Sequence, residues 1–185
     1  MAFDGFREAI FPTYAPPEIN FVEGRGVWLR DSTGRQYLDF IAGIAVNSLG
    51  HCHPRLVEAL QLQANKLWHL SNMFDVPGQQ ELAALYCEHS FADAVFFANS
   101  GTEAVECALK AARRFHHVNG APERIEIIGF EGAFHGRTYA AINAAGNPKY
   151  VEGFGPRLPG YRQCAFADFA ALEKMISPKT AAIII

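Results

Sequence analysis

The chain has 185 residues, 50% of them hydrophobic and 19% charged. That is enough apolar surface for an ordinary globular domain with its own core, and too little charge for a disordered chain. A net charge of −3 supplies no drive toward nucleic acid or an anionic membrane, and no apolar stretch reaches bilayer-spanning length. The four cysteines, Cys52, Cys87, Cys107 and Cys164, are scattered without a C-x-x-C pair, the pattern of reduced thiols in a cytoplasmic protein. Met1–Gly5 lacks the basic-then-apolar order of a signal peptide.

The first 50 residues carry short strand signals at Phe21–Glu23, Val27–Leu29 and Gln36–Leu38. Turn-formers Gly24-Arg25-Gly26 and Asp31-Ser32-Thr33-Gly34 separate them, which predicts a small antiparallel meander. Residues 1–50 are read as one part and 51–185 as another. Pro54 opens a helix with Leu56, Val57, Leu60, Ala64 and Leu67 on one face, and a second helix is expected over 79–89. From Ala94 the pattern alternates. Strand Val95–Ala98 leads to helix Glu103–His117, and strand Ile125–Phe130 to helix Thr138–Ala145. Strand Gln163–Phe166 leads to helix Phe169–Ile176, then to strand Ala181–Ile185. Alternation of this kind predicts an α/β fold, a mainly parallel sheet with helices on both faces. Gly146–Gly160 is read as a surface loop. The closing apolar strand suggests the front part of a longer chain, with sheet faces left uncovered and poor solubility or association as the expected result.

Right-handed crossovers put the strand-to-helix turns along one sheet edge. The first such turn is Asn99-Ser100-Gly101-Thr102-Glu103-Ala104. A helix start offers unpaired N–H groups and about half a positive charge, Gly101 lets an anion approach, and the Ser100 and Thr102 hydroxyls can donate to a phosphate. The same residues also fit a simple helix cap. There is no G-x-x-x-x-G-K-[ST] and no G-x-G-x-x-G after a strand. The second turn, Glu131-Gly132-Ala133-Phe134-His135-Gly136-Arg137-Thr138, sets a stacking ring and a guanidinium suited to a carboxylate at the same edge. A loop with a buried Phe, a capping His and an exposed Arg is the plainer alternative. His51 and His53 flank a turn beside Pro54 and lack the further ligands zinc requires.

Together these segments resemble the class III aminotransferases, pyridoxal-phosphate enzymes of fold type I. The resemblance runs through Asp39-Phe40, Gly43-Ile44-Ala45-Val46, Gly50-His51 with His53-Pro54, the Asn99–Ala104 turn and Phe134-His135-Gly136-Arg137-Thr138. Within the class, Ala45–His51 and the Phe-His-Gly-Arg-Thr turn are most similar to the acetylornithine/succinyldiaminopimelate branch.

The resemblance implies a transferase of arginine biosynthesis. It would move the δ-amino group of N-acetylornithine to 2-oxoglutarate through pyridoxal 5′-phosphate, as a cytoplasmic homodimer with shared active sites. It implies that Ser100, Gly101 and Thr102 hold the cofactor phosphate, Phe134 packs on the pyridine ring and Arg137 takes the α-carboxylate. Residues 1–50 would belong to the small domain and 51–185 to the front of the large one. No metal is implied. The Schiff-base lysine and the acid facing the pyridine nitrogen are expected beyond residue 185. Lys66, Lys110, Lys149, Lys174 and Lys179 do not match the lysine's family context, so the 185-residue chain alone is expected to be inactive. Ornithine, succinylornithine or 4-aminobutyrate aminotransferases are alternatives that Tyr14, Asn47 and Ser48 would help to distinguish. A non-catalytic phosphate-binding module is another.

Overall fold

The computed structural model describes residues 10, 11, 13–15 and 17–185. The chain divides into two compact units, with the boundary in the sequence between Pro77 and Gly78.

The first unit is built on a three-stranded antiparallel sheet in the order β1 (Phe21–Arg25), β2 (Trp28–Asp31) and β3 (Gln36–Leu38). Asp31 closes the β2–β3 turn. Its Oδ1 accepts from the N–H groups of Thr33 and Arg35 and from the Thr33 hydroxyl, and Oδ2 accepts from the Tyr37 hydroxyl at 3.0 Å. These donors hold the Asp31 carboxyl below its ordinary range.

The meander extends past residue 50 because it grips His51. A backbone bridge joins Gly26 to His51, and the His51 ring packs against Gly24. The His51 Nε2–H donates to Asp39 Oδ2 at 2.7 Å. The turn leads directly into α2 (Pro54–Ala64), with proline in its first turn.

Asp39 also organises α1 (Ala42–Ala45), which the sequence reading did not foresee. Ala42, Gly43, Ile44 and Ala45 all have left-handed φ, between 48° and 64°. This conformation costs an L-residue roughly 1–2 kcal/mol. Asp39 Oδ1 accepts from the N–H groups of Ile41 and Ala42 at 2.9 Å, anchoring the start of the turn.

The second unit holds α3 (Pro77–Glu88), α4 (Gly101–Val118), β4 (Glu126–Phe130), α5 (Tyr139–Ala145), α6 (Pro148–Val151), β5 (Tyr161–Cys164), α7 (Phe169–Met175) and β6 (Thr180–Ile183). Its sheet is parallel, in the order β5-β4-β6. Central β4 reads Glu-Ile-Ile-Gly-Phe, the continuous apolar run of a strand covered on both faces. Ile127 and Ile128 are fully buried, a contribution of about 1.5–3 kcal/mol each.

Successive side chains leave β4 on opposite faces. Ile128 and Phe130, with Cys164, meet Ala171, Leu172 and Met175 of α7. Gly129 lies under α5, where any Cβ would stand 2.2 Å from the Ala144 carbonyl oxygen, well inside van der Waals contact distance. Helix α4 lies beside α5 and β6, and the His116 Nε2–H donates to the Ala181 carbonyl at 2.9 Å.

Two expectations change. Val95–Ala98 forms no strand, because no neighbour pairs with it among the described residues. The loop Gly146–Gly160 contains α6, started by the Asn147 side chain accepting from the Lys149 N–H, with Pro148 at the first helical position. Among the described residues no helix is long and apolar enough to cross a membrane, and no group of three or more His, Cys, Asp or Glu is arranged to hold a metal ion.

Gly129→Ala is expected to lower the unfolding free energy by about 1–3 kcal/mol by lifting α5 off the sheet, as read by urea denaturation followed by circular dichroism. Acid tests the Asp39 lock. The His51 hydrogen bond, and then the Ala42 N–H, hold the Asp39 carboxyl below the ordinary value of 3.8. Its stabilisation is therefore present above 3.8 and lost as the pH falls through the lower folded value. Both tryptophans, Trp28 and Trp68, lie in the first unit. In urea melts followed by their fluorescence, the advantage of the native chain over Asp39→Asn should be present at pH 5 and shrink below pH 3.8.

Candidate functional site

The site is assembled at the carboxyl end of β4, where the turn to α5 meets the start of α4. Ser100 is extended (φ −153°, ψ 158°) and caps α4, its hydroxyl oxygen accepting from the Glu103 N–H at 3.3 Å. Glu103 completes a reciprocal box. Its Oε2 accepts from the Asn99 N–H at 2.8 Å and from the Ser100 hydroxyl at 3.2 Å, and its Oε1 accepts from the Asn99 side chain. The Asn99 side chain, foremost, holds the Glu103 carboxyl below its ordinary range.

In this structure the Ser100 hydroxyl serves the helix cap with both its proton and an acceptor position. Ala104 N–H donates to the Ser100 carbonyl. Among the described residues, no acceptor meets the N–H groups of Gly101 and Thr102. A Cβ at Gly101 would meet nothing within 4 Å, so the space beside Gly101 is open. These N–H groups carry the positive end of an 18-residue helix.

The second predicted turn packs directly against this one. Gly136 has φ +115°, and a Cβ there would stand 2.7 Å from the Thr102 Oγ1. One helical turn along α4, Glu106 Oε1 accepts from the Thr138 hydroxyl at 2.5 Å, and Thr138 Oγ1 in turn accepts from the Ala141 N–H, capping α5. Thr102 and Glu106, at i and i+4, thus fasten Gly136 and Thr138, at i and i+2. The sequence reading did not single out Glu106; its helical spacing from Thr102 was the available signal.

Phe134 and Arg137 lie on the same turn and are both exposed. The Arg137 Cζ is 5.6 Å from the Phe134 ring centroid and 4.6 Å from that of Tyr150 on α6. The two rings meet edge to face at 6.1 Å. No carboxylate among the described residues pairs with Arg137. Tyr150 lies in the Gly146–Gly160 segment, whose glycine and proline content signals a loop, although Asn147-Pro148 is a recognisable helix start.

His135 is 92% buried, as its 8% residual exposure indicates, and its Nε2 meets no partner among the described residues. Burial pulls its imidazole below the ordinary range, which favours the neutral ring. It borders a cleft of about 430 Å³ lined by Phe130, Glu131, Phe134, Phe166 and Ile185, at the carboxyl ends of the strands. Tyr14, Asn47 and Ser48 belong to the first unit. The Asn47 N–H donates to the Ala42 carbonyl, and the Ser48 hydroxyl to the Ala45 carbonyl.

A side chain at position 136 would meet both a disfavoured φ and the Thr102 hydroxyl. Gly136→Ala is expected to cost about 1–3 kcal/mol in urea denaturation. It should also move the amide resonances of Thr102 and Glu103, as read in a two-dimensional NMR spectrum.

A sequence model of the family "Aminotransferase class-III" matches residues 11–185. Acetylornithine aminotransferase 2 of Caulobacter vibrioides is 60% identical over 177 residues, covering 95% of this chain and 44% of the relative. Among solved structures, the ornithine aminotransferase of Toxoplasma gondii ME49 superposes with a TM-score of 0.90 at 32% identity, over 98% of this chain and 44% of that one. The N-acetylornithine aminotransferase of Stenotrophomonas maltophilia K279a does so with a TM-score of 0.75 at 36% identity, over 92% and 42%. The chain thus spans less than half the length of these relatives, and over that span its fold is that of the fold type I aminotransferases. This chain belongs to the class III aminotransferase family.

Proposed function

We propose that this chain carries the phosphate-binding and carboxylate-recognition part of an acetylornithine-type aminotransferase. Such an enzyme moves the δ-amino group of N-acetylornithine to 2-oxoglutarate with pyridoxal 5′-phosphate, in the arginine pathway and in the cytoplasm, as a homodimer. The observation that supports this reading most strongly is the packing of Gly136 on Thr102. It brings two unpaired helix-start N–H groups beside a turn that presents an aromatic ring and an arginine without an acidic partner.

The residues fit the cofactor in chemical kind. A phosphate dianion suits the Gly101 and Thr102 N–H groups, the open space beside Gly101 and the helix dipole. When bound, the pyridoxal ring serves as the electron sink for amino-group transfer. In this reading Phe134 covers the ring's apolar face. Arg137 orients the substrate by binding its carboxylate through two N–H groups, and takes the carboxylate of 2-oxoglutarate in the return half-reaction. Ser100, whose hydroxyl is shared with Glu103 in this structure, stands beside Gly101 and Thr102 at the phosphate and also shapes the helix start. Residues 1–50 are assigned to the small domain and 51–185 to the cofactor-binding one. The lysine and the acid that the reaction also needs are assigned to the length of the relatives that this chain does not match.

Pyridoxamine 5′-phosphate provides the test, because it binds without reacting with lysines. Fluorescence titration should show binding that pyridoxamine, lacking the phosphate, does not reproduce. Gly101→Pro removes one N–H. Ser100 is already extended, as a residue before proline must be, and the first helical turn accepts proline. The variant should keep its thermal stability and lose about tenfold or more in affinity, the expected effect of losing one hydrogen bond to a charged group. Equal binding of the two ligands would remove the phosphate site from this proposal.

A further inference from the structure

Beyond the roles proposed so far, the geometry points to Tyr150 as the positioning residue of the carboxylate anchor: its ring fixes the Arg137 guanidinium while leaving the guanidinium's N–H groups free for a ligand carboxylate. This inference rests on the reading of Arg137 as the group that takes that carboxylate.

The contact geometry supports it in three ways. The Arg137 Cζ lies nearer the Tyr150 ring, at 4.6 Å, than the Phe134 ring, at 5.6 Å. The two rings are inclined at 80° to each other, so the cation is confined by two differently oriented aromatic surfaces. An aromatic face attracts a cation through its quadrupole and takes none of its in-plane hydrogen bonds. The five N–H donors therefore keep their capacity for a bidentate carboxylate.

Tyr150 is itself firmly held. Helix α5 ends at Gly146 in the left-handed conformation, Asn147 caps α6, and the Tyr150 N–H donates to the Asn147 carbonyl at 3.0 Å. The ring is half-buried. Gln163 of β5 packs against Gly146 and donates to the Asn143 carbonyl, which ties the α5–α6 junction to the sheet. A long arginine side chain that would otherwise sample many rotamers is thus pre-ordered for its ligand.

The test uses the purified 185-residue chain and glutarate, a dicarboxylate, as probe. The side-chain N–H and δ-methylene resonances of Arg137 are followed by NMR and assigned with Arg137→Lys. In the native chain the δ-methylene protons should lie upfield through the Tyr150 ring current, and glutarate should shift the N–H resonance. Tyr150→Leu should abolish the upfield shift and weaken glutarate binding about two- to fivefold, with the backbone spectrum preserved. Tyr150→Phe keeps the ring face and should restore both.

Unchanged glutarate affinity in Tyr150→Leu, with the N–H still responding, would overturn the positioning role and leave the Arg137 reading intact. An Arg137 N–H that does not respond to glutarate in the native chain would overturn the Arg137 reading itself, and the positioning role with it. Native δ-methylene protons without an upfield shift would overturn the stacking from which the inference starts, whatever the variants do.

Discussion

The second unit depends on one close approach, that of α5 to β4 at Gly129. The strand offers a position with no side chain, and the backbone of Ala144 occupies the space. Every group on the turn before α5 inherits its position from this contact. Thr138 caps the helix, Gly136 is pressed against Thr102, and Phe134 and Arg137 project from a segment pinned at both ends. A larger residue at 129 would displace the helix and the turn with it. The opposite face of β4 is conventional packing, Ile128 and Phe130 against α7, and tolerates adjustment in the way apolar contacts do.

At the start of α4 side chains and backbone donors are used differently within one short motif. Asn99, Ser100 and Glu103 use their side chains on one another. The result is a helix start whose next two backbone donors meet no acceptor among the described residues. The Ser100 hydroxyl, which as a donor could equally face outward, is here turned to the helix.

Much of this was legible from residue order. The Glu-Ile-Ile-Gly-Phe run announced a buried parallel strand, and Ser-Gly-Thr-Glu announced the helix cap, since both signals are local. The Val95–Ala98 run was misleading because a strand is defined by its neighbour, and apolar character does not supply one. The contact between Gly136 and Thr102 joins residues 34 apart, so no periodicity reports it. Glu106 is tied to Thr138 across a similar interval, 32 residues. The left-handed turn at 42–45 was hidden for a different reason: alanine and isoleucine are residues that normally argue against that conformation.

That turn has a consequence for how the chain tolerates substitution. Elsewhere in a helical segment, replacing alanine by glycine loosens the backbone and weakens the fold. At Ala42, Ile44 and Ala45 the usual ranking is inverted, because glycine or asparagine would relieve the backbone rather than burden it. Glycine at any of the three should therefore leave the fold no weaker, the reverse of what the same exchange does in α4.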